Sequence, residues 1–197
     1  MERVCFGSFP QNLHDAPDGS PIEWLILKQQ DGRALLLSEK ILSAAAYNSG
    51  IEKADEPWAA SSIRNWLNND FLNLAFSDEE QTAICETLVV TPDRSGIHGS
   101  GGPDSEDKVF LLDVKELCGL FTCELERIAE STPYAVQRGH KFSDSGWWLR
   151  SPSDSAPYAA YVNGDGQVHG FMKLFSGCGV RPVLVVDLSV IQNVNKR

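Results

Sequence analysis

Apolar positions in the first half of the chain follow two rhythms. IEWLILK, Ile22 to Lys28, and ALLLS, Ala34 to Ser38, are apolar-rich runs separated by Gln29 to Arg33, with Asp31-Gly32 inside that interval. This pattern predicts a β-hairpin. Farther on the period lengthens. Ser61-Ser62 can cap a helix in which Ile63, Trp66, Leu67, Phe71 and Leu74 recur at helical spacing, with Arg64, Asn65, Asn68 and Asn69 on the other face. That stripe predicts a helix packed on a sheet, with Trp66 and Phe71 in the core. Ser77-Asp78-Glu79-Glu80 reads as a capping box opening a second short helix, with Ile84, Cys85 and Leu88 as its inner stripe.

Beyond residue 92 the rhythm breaks down. DRSGIHGSGGPDSED, Asp93 to Asp107, is too long and too rich in Gly, Ser and Asp for an ordinary connection, and is expected to be a functional or a mobile loop. VFLLDVKELCGLF, Val109 to Phe121, predicts a short strand running into a helix capped by Asp113. YAAYVN, Tyr158 to Asn163, an NGDG turn and the segment Gln167 to Met172 predict a second hairpin, followed by an apolar strand GVRPVLVVDL, Gly179 to Leu188. Pro182 within this last strand argues for an edge position or a bulge.

Composition narrows the class of protein. A chain of 197 residues, 42% of them hydrophobic, encloses one good-sized core, so a single domain over residues 1–197 is expected. Lys and Arg number 17 against 27 for Asp and Glu, a net charge of −10 with no basic run, which argues against a nucleic-acid partner. No stretch has the length and apolarity of a membrane span, and MERVCFGSFPQ lacks the apolar core of a signal peptide, so the cytoplasm is the default location. The cysteines, Cys5, Cys85, Cys118, Cys123 and Cys178, are odd in number and show no CxxC spacing. They are expected to be buried, reduced thiols that bind no metal.

FGSFPQ, PIEW, LLLSEKIL, WAASSIRNWLNNDFLNLAFSDEEQ, DKVFLLDVKEL, WWLRSP and GVRP, in this order over nearly the whole chain, resemble an uncharacterised bacterial domain family. In its closing W...R and G-R pattern that family is similar to the C-type lectin-like fold of formylglycine-generating enzymes and of the variable receptor-binding proteins of diversity-generating retroelements. The resemblance implies an α+β architecture: two main helices on a small, twisted antiparallel sheet, with long irregular loops pinned at the other end. It leaves function open, because such a fold hosts enzymes, sugar binders and protein binders alike.

Within GWWLRSPSDSAP, Gly146 to Pro157, the paired tryptophans of a strand must point to opposite faces, so one indole is expected in the core and the other toward the loops. Trp148, Arg150 and Arg181 are expected to be buried anchors, the arginines forking to carbonyls or to carboxylates such as Asp107 and Asp113. Trp147, Ser153, Asp154, Tyr158, Tyr161 and His169 are assigned to an exposed, ligand-binding loop layer. Aromatic area together with hydroxyl and amide groups is the mixture found in adaptable binding surfaces.

Catalytic patterns are absent from the sequence. The four histidines, His14, His98, His140 and His169, show no HExxH or comparable metal spacing, and His98 and His140 read as solvated loop residues. Formylglycine-generating enzymes imply a copper-binding cysteine pair, but only Cys178 falls in the corresponding region, so that activity is not carried over. No GxSxG, P-loop or GxGxxG motif occurs. Asn163-Gly164-Asp165-Gly166 and Asp104 to Asp107 offer oxygens suited to calcium, but without the EPN, QPD or WND signatures they read as a turn and a solvated acidic loop. Calcium is left open and no cofactor is predicted. The reading reached is a non-catalytic module that recognises a protein or carbohydrate through its C-terminal loops. The alternative is an enzyme on a formylglycine-generating-enzyme-like scaffold with other chemistry. Membership of a larger assembly or a phage-related particle is left open.

Overall fold

The computed structural model describes residues 1–12, 19–93, 100–140 and 146–194. His14, His98 and residues 94–99 of the Asp93 to Asp107 stretch lie outside these residues. The chain opens with β1 (Arg3–Phe9), β2 (Ser20–Gln30) and β3 (Arg33–Ser38). Strands β2 and β3 form the expected antiparallel hairpin, turning at Asp31 (φ 51°) and Gly32 (φ 76°). Both turn residues lie in the left-handed region, which matches the twist of the flanking strands. A short β4 (Ser43–Ala44) follows.

The helix predicted from Ser61 onward forms in three pieces: α1 (Ser62–Trp66), a wide π turn (Leu67–Phe71) and α2 (Leu72–Ala75). Ser61 accepts from the Arg64 amide as N-cap. Ile63, Leu67 and Phe71 are buried as predicted, but Leu74 is 51% exposed and Leu72 and Ala75 face the core in its place. The π turn inserts one residue into the helical repeat, so every inward position after it moves along the chain. Trp66 is half-buried at the edge of the core, its ring tilted against that of Phe71 with centroids 5.5 Å apart. The face assigned to Arg64 and Asn68 binds protein instead of water: Arg64 pairs with Asp107 at 2.6 Å, and Asn68 bridges the backbone of Lys108 and Val109.

The capping box of Ser77 and Glu80 opens α3 (Asp78–Ala83). This helix ends before its predicted inner stripe does, and Leu88 lies 63% exposed on β5 (Thr87–Val89), which among the described residues pairs with β6 (Ser105–Asp107) alone. Then β7 (Val109–Phe110) leads into α4 (Val114–Leu120), where Asp113 and Glu116 complete a second capping box. Helix α5 (Pro133–Gln137) precedes the final strands β8 (Trp147–Pro152), β9 (Tyr158–Val162), β10 (Val168–Met172), β11 (Gly179–Val180) and β12 (Val183–Asp187), and α6 (Leu188–Val194) follows them.

The fold is mixed α+β, with two five-stranded sheets in place of the one small sheet expected. Their orders are β1-β2-β3-β12-β7 and β10-β9-β8-β11-β4. The run from Gly179 to Leu188 serves both. Its first part pairs with β8 and β4, and its second part lies between β3 and β7 in the other sheet. Pro182 marks the crossing, its carbonyl accepting from the Ser38 amide at 3.0 Å. The proline therefore breaks a central strand instead of marking an edge, because at the break its missing N–H removes no ladder bond.

Candidate functional site

All six residues of β8 are buried. Trp147 and Trp148 point to opposite faces as strand geometry requires, yet both indoles are 0% exposed, which corrects the expectation that Trp147 reaches the loop layer. Protein covers β8 on both faces. Trp147 donates its ring N–H to the Arg127 carbonyl at 3.1 Å and lies 4.8 Å from the Arg181 guanidinium. Trp148 donates to the Ala45 carbonyl at 2.9 Å and meets Tyr47 edge-on.

Arg150 is the main tie of the irregular half. One Nη donates to the Leu111 carbonyl at 2.6 Å and to Glu116, the other to the Val90 carbonyl at 3.0 Å, Asp113 at 3.0 Å and Glu116 at 2.8 Å. One side chain thus joins β8, the start of α4 and the segment after β5, as a planar five-donor fork can. Of the two carboxylates expected as partners, Asp113 holds Arg150, whereas Asp107 belongs to Arg64, Trp58 and Ser105. Arg181 uses carbonyls instead, those of Ser38, Glu39 and Arg127. Lys173 is buried too, donating to the Glu56 carbonyl at 2.8 Å, and burial pushes its ammonium down to about 8.

Exposed chemistry gathers on the β9–β10 ribbon at the edge of the second sheet. Tyr158 pairs across it with Met172, and Tyr161 with His169. Alternation puts the first pair on one face and the second on the other, so Tyr158 and Tyr161 do not share a contact surface. Tyr158 is 39% exposed, Met172, His169 and Asp154 are exposed, and Tyr161 is half-buried. Ser153 is not available: it is 1% exposed, with its hydroxyl against Gly170, where a Cβ would come within 2.0 Å of it. Phe171 and Phe175, missed by the sequence reading, extend the Tyr161 side into an aromatic row with centroids 5.3 and 4.7 Å apart. The alternation of Val168-His169-Gly170-Phe171-Met172 was the available signal.

The sequence profile of a family described as a domain of unknown function, DUF6273, matches residues 31–188. The chain belongs to that family. No curated protein and no solved structure matches it. The DUF6273 span contains Arg150, Arg181 and the whole ribbon, whereas β1 and β2 precede it.

Other polar groups of the DUF6273 domain act as ties. His140, expected to be solvated, is buried: its Nδ1 lies 2.7 Å from the Ser131 hydroxyl and its Nε2 lies 2.9 Å from the Gly146 carbonyl. Burial favours the neutral ring and lowers its pKa, and the Gly146 bond opposes that in part. Asn163 spends its side-chain oxygen on the amides of Asp165 and Gln167, inside its own turn. Among the described residues no group of three or more His, Cys, Asp and Glu side chains could hold a metal. The five thiols are free, but only Cys178 is buried, while Cys5, Cys118 and Cys123 are exposed and Cys85 is intermediate. The expectation of buried thiols therefore fails for most of them. Cys5, Cys118 and Cys123 lie outside the apolar stripes that would have enclosed them.

Proposed function

We propose that this domain is a non-catalytic module that recognises a protein or carbohydrate partner on the exposed β9–β10 ribbon and the adjoining Asp154 loop, on a C-type lectin-like scaffold. The observation that carries this reading is the contrast between the two kinds of polar residue. Arg150, His140 and Lys173 are consumed in internal bonds, whereas Asp154, Tyr158, His169 and Met172 stand exposed on or beside one edge hairpin. The aromatic and thioether area of Tyr158 and Met172 on one face of the hairpin, with Asp154 in the adjoining loop, suits a contact surface of low ordering cost, while His169 stands on the other face, beside the same edge. The ribbon edge adds free backbone. In the β9–β10 ladder Asn163 and Lys173 donate to Gln167 and Pro157, which places the intervening Val168 and Gly170 peptide groups on the outer side of β10. Such an edge can accept a partner strand. The lectin-like scaffold is supported by the terminal β12 joining β3 in the first sheet, while long connections serve the second.

A glycan array, together with photo-crosslinking from a benzoylphenylalanine placed at Tyr158, tests this. The variant Asp154→Ala/Tyr158→Ala/His169→Ala is expected to melt like the parent and to lose the ligand so identified. A ligand retained in full by the folded variant overturns the assignment of the surface.

A further inference from the structure

Away from the ribbon, a cleft of about 330 Å³ opens between Arg3 on β1, Leu25 on β2, the Glu39-Lys40 corner after β3 and the segment from Glu126 to Glu130. Arg181 lines it while only 1% exposed. Its guanidinium has five N–H donors. Three bonds account for it: Nε to Ser38 at 3.0 Å, one Nη to Glu39 at 3.2 Å and the other to Arg127 at 3.4 Å, all of them backbone carbonyls. Among the described residues no carboxylate lies within ion-pair distance of it, in contrast to Arg150. Trp147 covers one face of its plane, so a further partner must come in along the edge. A buried cation without an ion-pair partner is costly, and burial pushes this one down to about 9, against a smaller opposing pull from the Glu39 carboxylate, which is itself bound to Arg3.

The charges around the mouth cancel in pairs, save one. Arg3 takes Glu39 at 2.7 Å, and Lys40 lies 3.9 Å from Glu130. Glu126 remains. Its carboxylate is held by the Thr122 amide at 2.8 Å and the Thr122 hydroxyl at 2.9 Å, which favour its charged form and place it below the ordinary range. The Met1 amino group reaches Glu126 only weakly. A cation at the floor and an anion at the mouth, neither of them in an ion pair among the described residues, therefore line a cleft at the small end of the range for ligand pockets, ~300–1,000 Å³. Leu25 and Ile128 supply apolar wall between them.

We propose that this cleft binds a small aliphatic zwitterion of the α-amino-acid type, its carboxylate on the free edge of Arg181 and its ammonium toward Glu126. A polyanion is disfavoured, because the carboxylates of Glu39, Glu126 and Glu130 line the same cleft and the chain carries a net −10. The site is separate from the ribbon and does not depend on its role.

Calorimetric titration of the whole chain with L-valine, L-leucine and L-methionine tests the proposal, with 4-methylpentanoate as the carboxylate alone and 3-methylbutylamine as the amine alone. At least one amino acid is expected to bind and to raise the melting temperature, with both single-charge probes weaker by about tenfold or more. Glu126→Gln is expected to melt as the parent without ligand and to bind the amino acid about tenfold more weakly. Because Arg181→Lys risks the fold, Glu126→Gln carries the test. The proposal is overturned if none of the three amino acids binds, if 4-methylpentanoate binds as well as they do, or if Glu126→Gln binds unchanged.

Discussion

Replacing Arg150 by alanine removes the cation of a buried charge cluster and leaves the rest behind. The Arg150 side chain is 2% exposed and that of Asp113 7%, so the Asp113 carboxylate would stay buried without its partner, as would the Leu111 carbonyl. Breaking such a pair from one side costs about 3–5 kcal/mol. The Glu116 side chain, 36% exposed, can regain water and adds little. Loss of about 4 kcal/mol is therefore expected, a large part of the ~5–15 kcal/mol that holds a domain of this kind together. At about 2–4 °C per kcal/mol for this chain length, the melting temperature falls by roughly 8–16 °C. Urea unfolding followed by tryptophan fluorescence, with calorimetry alongside, measures both quantities. A control separates charge from packing: Arg150→Met/Asp113→Asn/Glu116→Gln removes the orphaned charges but keeps an acceptor at each capping position. It should recover at least about half of the loss, since exchange of a whole ion cluster is far milder than removal of one member. A cost below about 1 kcal/mol for Arg150→Ala, or a triple variant no more stable than the single one, would refute the reasoning.

Other expectations concern the helix, the histidine and the thiols. Phe71→Ala should cost about 3–5 kcal/mol and Leu74→Ala about 0.5 kcal/mol or less. Equal costs in denaturant titrations would mean that the helical face does not shift at the π turn. His140 is favoured in its neutral form by the fold, with a pKa below the ordinary 6.5, so its contribution is complete above pH 6.5 and is lost as the pH falls below that value. It levels off once the lowered folded pKa is passed, and His140→Gln should flatten the fall of stability with acid in this window. Thiol titration in native buffer should modify Cys5, Cys118 and Cys123 quickly and Cys178 only after unfolding, since Cys178 is buried and burial raises its thiol pKa well above the ordinary value. Rapid native labelling of Cys178 would contradict its enclosure.

Local patterns in the chain were sufficient for local elements. The Asp31-Gly32 turn, the serine caps at Ser61 and Ser77 and the Asp113 cap each depend on a few neighbouring residues, so their identity and spacing decide them before any tertiary contact forms. Arg150 as an anchor was legible as well, because a lone arginine between a tryptophan pair and a proline in an apolar run must find acceptors if it is buried. Residues brought together from distant segments were not legible. Trp147 looked free because nothing near it in sequence covers it, yet Arg127 and Arg181 close over it from 20 and 34 positions away. His140 looked solvated until Ser131 and Gly146 took both of its ring nitrogens. Pro182 shows the same limit: a proline tells where a ladder bond is missing, but only the packing of two sheets decides that the gap is a crossing between them. Periodicity and caps act over one turn or one strand, whereas burial, charge pairing and the carbonyl ties of Arg181 depend on which surfaces meet, and that is set by the tertiary fold.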